Sequence, residues 1–136
     1  MSQAPPLSAT GIRFSYGPRV ILDGLSLDAG PGEAVGLVGP NGSGKTTFLR
    51  IISGTLTPEA GRVDVQGSEL SSLSPRDRAR RVAMVRQNPS VPLGFSALEV
   101  VLMGRNPHLK LLQWEGQRDL DVATRAMKLT ETDHLA

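Results

Sequence analysis

Gly39-Pro40-Asn41-Gly42-Ser43-Gly44-Lys45-Thr46 fits the pattern G-x-x-x-x-G-K-[ST] at every fixed position. Each fixed position has a physical cause. Glycines let the backbone curl until successive N–H groups point inward, forming a concave nest for anions. A helix beginning near Lys45 adds the positive end of its dipole. Lys45 brings a full charge to terminal phosphates, and the Thr46 hydroxyl is a ligand for Mg²⁺. A chance match is the alternative, and the flanks argue against it. Ala34-Val35-Gly36-Leu37-Val38 is short and apolar throughout, the pattern of a strand buried on both faces. After the loop, Phe48, Leu49, Ile51 and Ile52 recur at helical spacing over Lys45 to Ile52, and Gly54 stands where a helix would end.

Working toward the N-terminus, Val20 to Leu27 reads as a strand that ends at the breaker Ala29-Gly30-Pro31-Gly32. Gly17 and Pro18 make a turn, and Ile12 to Tyr16 alternates apolar and polar residues as a half-buried strand does. Pro5 and Pro6 argue against regular structure in residues 1–10, which read as a loose lead-in.

Working toward the C-terminus, Arg62 to Val65 is a short strand candidate. Ser74-Pro75-Arg76-Asp77 opens a helix with a Ser cap, Pro at the first helical position and an acid three residues after the cap. Val82 to Val85 is a further short apolar strand candidate, and Asn88 to Gly94, with its prolines, is a loop. Ser96 to Glu99 forms a capping box for a helix that runs to about Met103 and stops at Gly104. Helical spacing returns from Glu115 to Leu129, with Leu120, Ala123 and Met127 on one side. The order predicts an α/β nucleotide-binding core over residues 11–89 and a helical subdomain beginning over residues 90–136.

Composition narrows the classes. Of 136 residues, 39% are hydrophobic and 21% charged, which suits a globular domain with a core. The absence of cysteine excludes disulfides, thiolate metal sites and a cysteine nucleophile. With glycine left out of the count, no apolar run exceeds four residues, as at Val100–Met103, so no segment here reaches the ~20 residues of a spanning helix. Residues 1–10 lack the charged-then-apolar order of a signal peptide. Arg76, Arg78, Arg80 and Arg81 form a basic cluster. A solvated helix face is the ordinary reading, an anionic-lipid or nucleic-acid patch the alternative, and the lack of interleaved aromatics argues against single-strand binding. His108 and His134 stand far apart in sequence, so His108 reads as structural rather than as a metal ligand.

The run Gly39 to Thr47 resembles the phosphate loop of ABC-type ATP-binding subunits more than that of kinases or small GTPases. The resemblance covers the chain from about Thr10 onward and implies a P-loop NTPase of ABC type, with antiparallel N-terminal strands and the start of a helical subdomain. It implies that Tyr16, the only tyrosine, stacks on adenine. By itself Tyr16 is an ordinary strand-end residue. It implies that Gly39, Pro40, Asn41, Gly42, Ser43, Gly44, Lys45, Thr46 and Thr47 hold the phosphates of ATP. It further implies that Gln87 touches Mg²⁺, with Thr46, and the attacking water. Leu98 to Leu109 resembles a stretch in the importers of iron siderophores, haem and cobalamin, as does Arg80-Arg81-Val82-Ala83.

The same resemblance implies membrane permease subunits and a second ATP-binding subunit as partners, no nucleic acid, no direct membrane insertion, and a cytoplasmic place on the inner face of a bacterial membrane. The sequence contains no Ser-Gly-Gly signature, no Walker B strand ending in an acid with its catalytic Glu, and no switch histidine. The expectation is therefore an N-terminal portion, truncated, that binds ATP and does not hydrolyse it alone. Alternatives are a non-catalytic nucleotide-binding remnant, a soluble ABC ATPase unconnected with transport, and an unrelated P-loop kinase.

Overall fold

The computed structural model describes residues 5–87, 94–110 and 112–136. β1 (Leu7–Tyr16) and β2 (Arg19–Ala29) form an antiparallel hairpin in which Tyr16 pairs with Arg19 across Gly17-Pro18. Gly17 has φ 57°, a left-handed conformation that so tight a connection needs and glycine adopts without steric cost. β3 (Ala60–Val65) pairs with the other edge of β1, and β4 (Ser68–Glu69) follows, giving the order β2-β1-β3-β4. Regular structure begins at Leu7, inside the expected lead-in. Leu7 pairs with Ala29 on one side and Val65 on the other, so its strand is bonded on both edges, and Ala9 is buried. A Cβ on Gly61 would overlap the Gly11 carbonyl, so the approach of β3 to β1 depends on glycine there.

α1 (Lys45–Ile52) lies over this sheet. Thr47, Phe48 and Ile51 share one side of it and are buried, while Arg50 faces outward. Phe48 meets Ile12, Phe14, Leu22 and Val63 in one core cluster. Burying a side chain of that size contributes about 1.5–3 kcal/mol. α2 (Pro75–Arg81) starts as expected, with Ser74 Oγ accepting from the Asp77 N–H at 3.1 Å. Its basic residues are not all solvated: Arg78 lies across Gly54, and Arg81 reaches the Val65 carbonyl at 3.4 Å.

Two expected strands do not form. Ala34–Val38 and Val82–Val85 have no strand pairing among the described residues, and Val38 and Val85 are 97% and 96% exposed. An apolar run becomes a strand only where neighbours take its N–H and C=O groups. Leu37 and Val82 pack against the core, but no described strand is hydrogen-bonded to either run.

The chain divides into two compact units, Met1–Met84 and Val85–Ala136. The second unit holds α3 (Ala97–Met103) and α4 (Gln117–Leu129). α3 opens with the expected capping box: Glu99 Oε2 accepts from the Ser96 N–H at 2.7 Å, and Ser96 Oγ accepts from the Glu99 N–H at 3.3 Å. Ala123 and Met127 of α4 are buried. Arg105 Nε donates to Asp119 Oδ1 at 2.9 Å, while Asp119 Oδ2 accepts from the Gly116 N–H. The Arg105 bond first, then the Gly116 N–H, hold the Asp119 carboxyl below its ordinary pKa.

Candidate functional site

The glycine-rich stretch Gly39 to Gly44 forms a loop that enters α1. Gly44 stands at its exit with φ 92°, directly before the first helical residue. A Cβ there would lie 2.9 Å from Leu22 Cδ2 and 3.1 Å from Ile21 Cγ2 and the Ile21 carbonyl oxygen. Glycine is thus required twice at this position, for its backbone and for the close approach of β2. Gly42 has φ 80° and open space around it, so there the backbone alone makes the demand. Gly39 faces Ser43: a Cβ at residue 39 would lie 2.9 Å from Ser43 Oγ. The Ser43 N–H donates to the Pro40 carbonyl at 3.3 Å, closing the turn that contains Asn41 and Gly42.

Lys45 folds across the loop that precedes it. Its Nζ donates to the carbonyl oxygens of Gly39 and Pro40, at 2.7 and 2.8 Å. The ammonium therefore sits at the loop's mouth, held by the chain's own acceptors. An ammonium has three N–H donors, so a third remains beyond these two bonds. Thr46, in the first turn of α1, is exposed, whereas Thr47 is 8% exposed on the packed side. Of the two threonines placed at the phosphates by sequence, Thr46 is the more exposed. An open cavity of about 480 Å³ borders Lys45 and Thr46, and apolar Val35, Leu37, Leu49 and Ile52 line much of the rest.

Tyr16 is the last residue of β1 and is 49% exposed. Its ring meets that of Phe14 edge to face, with centroids 4.9 Å apart and planes at 81°. Phe14 is paired with Leu22 across the hairpin, and Leu22 is the residue pressed against Gly44. One chain of contacts, Tyr16–Phe14–Leu22–Gly44, thus ties the aromatic ring to the exit of the loop. Sequence spacing alone did not reveal that connection.

Gln87 belongs to the second unit, at a bend, and is exposed. Residues 88–93 of the expected proline loop, with Pro89 at the expected domain boundary, lie outside the described residues. Among the described residues no group of three or more His, Asp or Glu side chains gathers into a metal site.

The arrangement fits a polyphosphate. A helix N-terminus, a cation and a hydroxyl stand side by side at the loop's exit, which is what a multiply charged anion requires. For Mg²⁺ the fit is narrower. Thr46 offers one neutral oxygen, and such an ion takes its other ligands from phosphate oxygens and water.

Comparison with known proteins identifies the family and the fold. The family model described as ABC transporter matches residues 22–136. The haemin import ATP-binding protein HmuV of Gloeobacter violaceus is 41% identical over 130 residues, covering 96% of this chain and 46% of that protein. The cobalamin import ATP-binding protein BtuD of Halobacterium salinarum is 40% identical over 124 residues, covering 91% of this chain and 31% of that protein. The chain spans about half the length of the first of these. The crystal structure of a nucleotide-free ATP-binding cassette from an ABC transporter superposes with a TM-score of 0.79 at 26% identity, covering 95% of this chain and 55% of that one. The fold is that of an ABC ATPase core, with antiparallel N-terminal strands and the start of a helical subdomain.

Proposed function

This chain belongs to the ABC transporter family, and we propose that it is the nucleotide-binding part of an ATPase that energises import of an iron chelate, haem or cobalamin. The observation that carries the proposal is the Lys45 ammonium, held by Gly39 and Pro40 carbonyls at the mouth of a glycine loop that enters α1. The import names of the relatives support the transport role.

In this reading, incoming phosphates compete with the two carbonyls for Lys45. The exchange favours phosphate, because a charged acceptor bonds an ammonium more strongly than a neutral one does. The N–H groups around Gly42 to Thr46 take the remaining phosphate oxygens. Pro40 and Asn41 shape the turn, Ser43 braces Gly39, and Thr47 anchors the first turn of α1 to the core. Tyr16 offers its exposed ring face to adenine. Thr46 would offer its hydroxyl to Mg²⁺, which neutralises charge on the phosphates; for Gln87 the support is the family resemblance of the sequence alone.

A P-loop ATPase also needs an acid on the metal and a group to orient water. The sequence holds no Walker B acid in its expected context, so binding without turnover is the activity proposed for this chain alone. The complete ATPase would pair with a second ATP-binding subunit and act on membrane permease subunits from the cytoplasmic face. No described helix is long and apolar enough to cross a membrane.

Titration with ATP and with adenosine tests the site. Lys45→Ala removes charge-assisted bonds worth about 1.5–3 kcal/mol each, so ATP should weaken at least about tenfold while adenosine changes little. Equal loss of both ligands would overturn the assignment.

A further inference from the structure

We propose that Glu59 is a positioning residue for the base platform: its carboxylate clamps Ser15 and so fixes the end of β1 that carries Tyr16. The proposal rests on the reading that Tyr16 receives adenine.

The local problem is one of unpaired backbone. On its β2 side, β1 is bonded to its last residue, where Tyr16 meets Arg19. On its β3 side the pairing stops at Arg13, opposite Ala60, the first residue of β3. Beyond Arg13 there is no β3 backbone left to receive the N–H of Ser15. A strand end held on one edge only frays readily.

Glu59 supplies the missing acceptors. It directly precedes β3, and its own N–H donates to the Arg13 carbonyl at 2.9 Å, extending the ladder by one bond. Its side chain then reaches further along β1. Oε1 accepts from the Ser15 N–H at 3.1 Å, and Oε2 accepts from the Ser15 hydroxyl, also at 3.1 Å. Both carboxylate oxygens are thus spent on one residue, the neighbour of Tyr16. Three bonds from Glu59 continue the β3 edge by one residue of side chain where the main chain has turned away.

The consequence for binding is entropic. Stacking a base on Tyr16 requires a ring in one place, and any freedom the ring loses on binding weakens the complex. Phe14 limits the ring through its edge-to-face contact. Glu59 limits the backbone from which the ring hangs. The phosphate half of the site does not involve Glu59, because Lys45 and its carbonyl partners belong to residues 39–45. The two halves can therefore be separated by choice of ligand.

The experiment measures dissociation constants for ATP and for inorganic tripolyphosphate with the full chain. Glu59→Ala, Glu59→Gln, Tyr16→Ala and the double variant of Glu59→Ala with Tyr16→Ala are compared with the parent. Glu59→Ala should weaken ATP about threefold or more, since hydrogen bonds to a charged group are lost, and leave tripolyphosphate unchanged. Glu59→Gln should recover parental ATP binding, because its amide can accept from the Ser15 N–H and donate to the Ser15 hydroxyl. In the Tyr16→Ala background, Glu59→Ala should cost nothing further. Three results overturn the proposal, each in its own way. ATP binding unaffected by Glu59→Ala but weakened by Tyr16→Ala removes Glu59 and leaves Tyr16 standing. Equal weakening of ATP and tripolyphosphate by Glu59→Ala assigns the residue to general stability. ATP binding indifferent to Tyr16→Ala removes the base platform, and the role of Glu59 goes with it.

Discussion

The exit of the phosphate loop should fail in a graded way when its two positive-φ glycines are replaced one at a time. Gly42→Ala forces a side chain into φ 80° with nothing within 4 Å of the new Cβ. The cost is backbone strain alone, about 1–2 kcal/mol. Gly44→Ala carries the same strain at φ 92° and also drives a methyl to within 2.9 Å of Leu22 and 3.1 Å of Ile21, including its carbonyl. Overpacking of that kind adds about 1–3 kcal/mol, because one of the obstructing atoms is main chain and cannot rotate away. Gly44→Ala should therefore unfold at a urea midpoint lower than Gly42→Ala by roughly 0.5–1.5 M, taking a denaturant slope near 2 kcal/mol per M. Circular dichroism in a urea series reads both variants against the parent. The strain should also reach the ring, since Leu22 links Gly44 to Phe14 and Tyr16. Gly44→Ala should thus weaken adenosine as well as ATP in a titration below the unfolding midpoint, whereas Gly42→Ala should affect ATP alone. Coincident midpoints for the two variants would refute the close approach of β2 to the loop and the contact chain built on it.

Tyr16→Ala should weaken ATP by about 1–3 kcal/mol, the usual worth of an aromatic stacked on a base, and Tyr16→Phe should not; equal damage from both in a titration would show a hydroxyl contact instead. Val38→Ser should change stability by less than about 0.5 kcal/mol, as expected of an exposed site; a loss of 1.5–3 kcal/mol, the worth of a buried valine, would place Val38 in a packed strand after all. Arg105 and the Gly116 N–H depress the pKa of Asp119, so their contribution is full above the ordinary carboxylate value of about 3.9 and is lost as pH falls through the lower folded value. Thermal midpoints of the parent should thus fall more steeply below about pH 4 than those of Asp119→Asn, and parallel curves would count against the pair. The purified chain should release no phosphate from ATP at a rate abolished by Lys45→Ala, and sustained release that is so abolished would contradict binding without turnover.

Much of the local structure follows from residues close together in sequence. Helix α1 begins at Lys45 because Gly44 can turn into it, and ends where Gly54 breaks the pattern. Ser74 with Asp77, and Ser96 with Glu99, cap their helices as the spacing requires. The hairpin turns at Gly17-Pro18. Such features are decided by torsional preference and by hydrogen bonds spanning three or four residues, and these are written in neighbouring letters. The phosphate loop is legible for the same reason: its donors, its cation and its hydroxyl are consecutive.

Tertiary structure alone decided the rest. The apolar runs Ala34–Val38 and Val82–Val85 carry the composition of buried strands, yet a strand exists only by pairing, and pairing depends on what other chain is beside it. Leu7 to Ala9 carry no strong strand signal and are strand nonetheless, because β2 and β3 bond them from both sides. Glu59 lies 44 residues from Ser15 in sequence, and nothing in either neighbourhood announces their meeting. The sequence determined that this chain has a glycine-rich loop leading through Lys45 into a helix. Only the folded sheet determined where Tyr16 stands and what holds it there, because those contacts join residues distant in sequence whose approach is governed by packing.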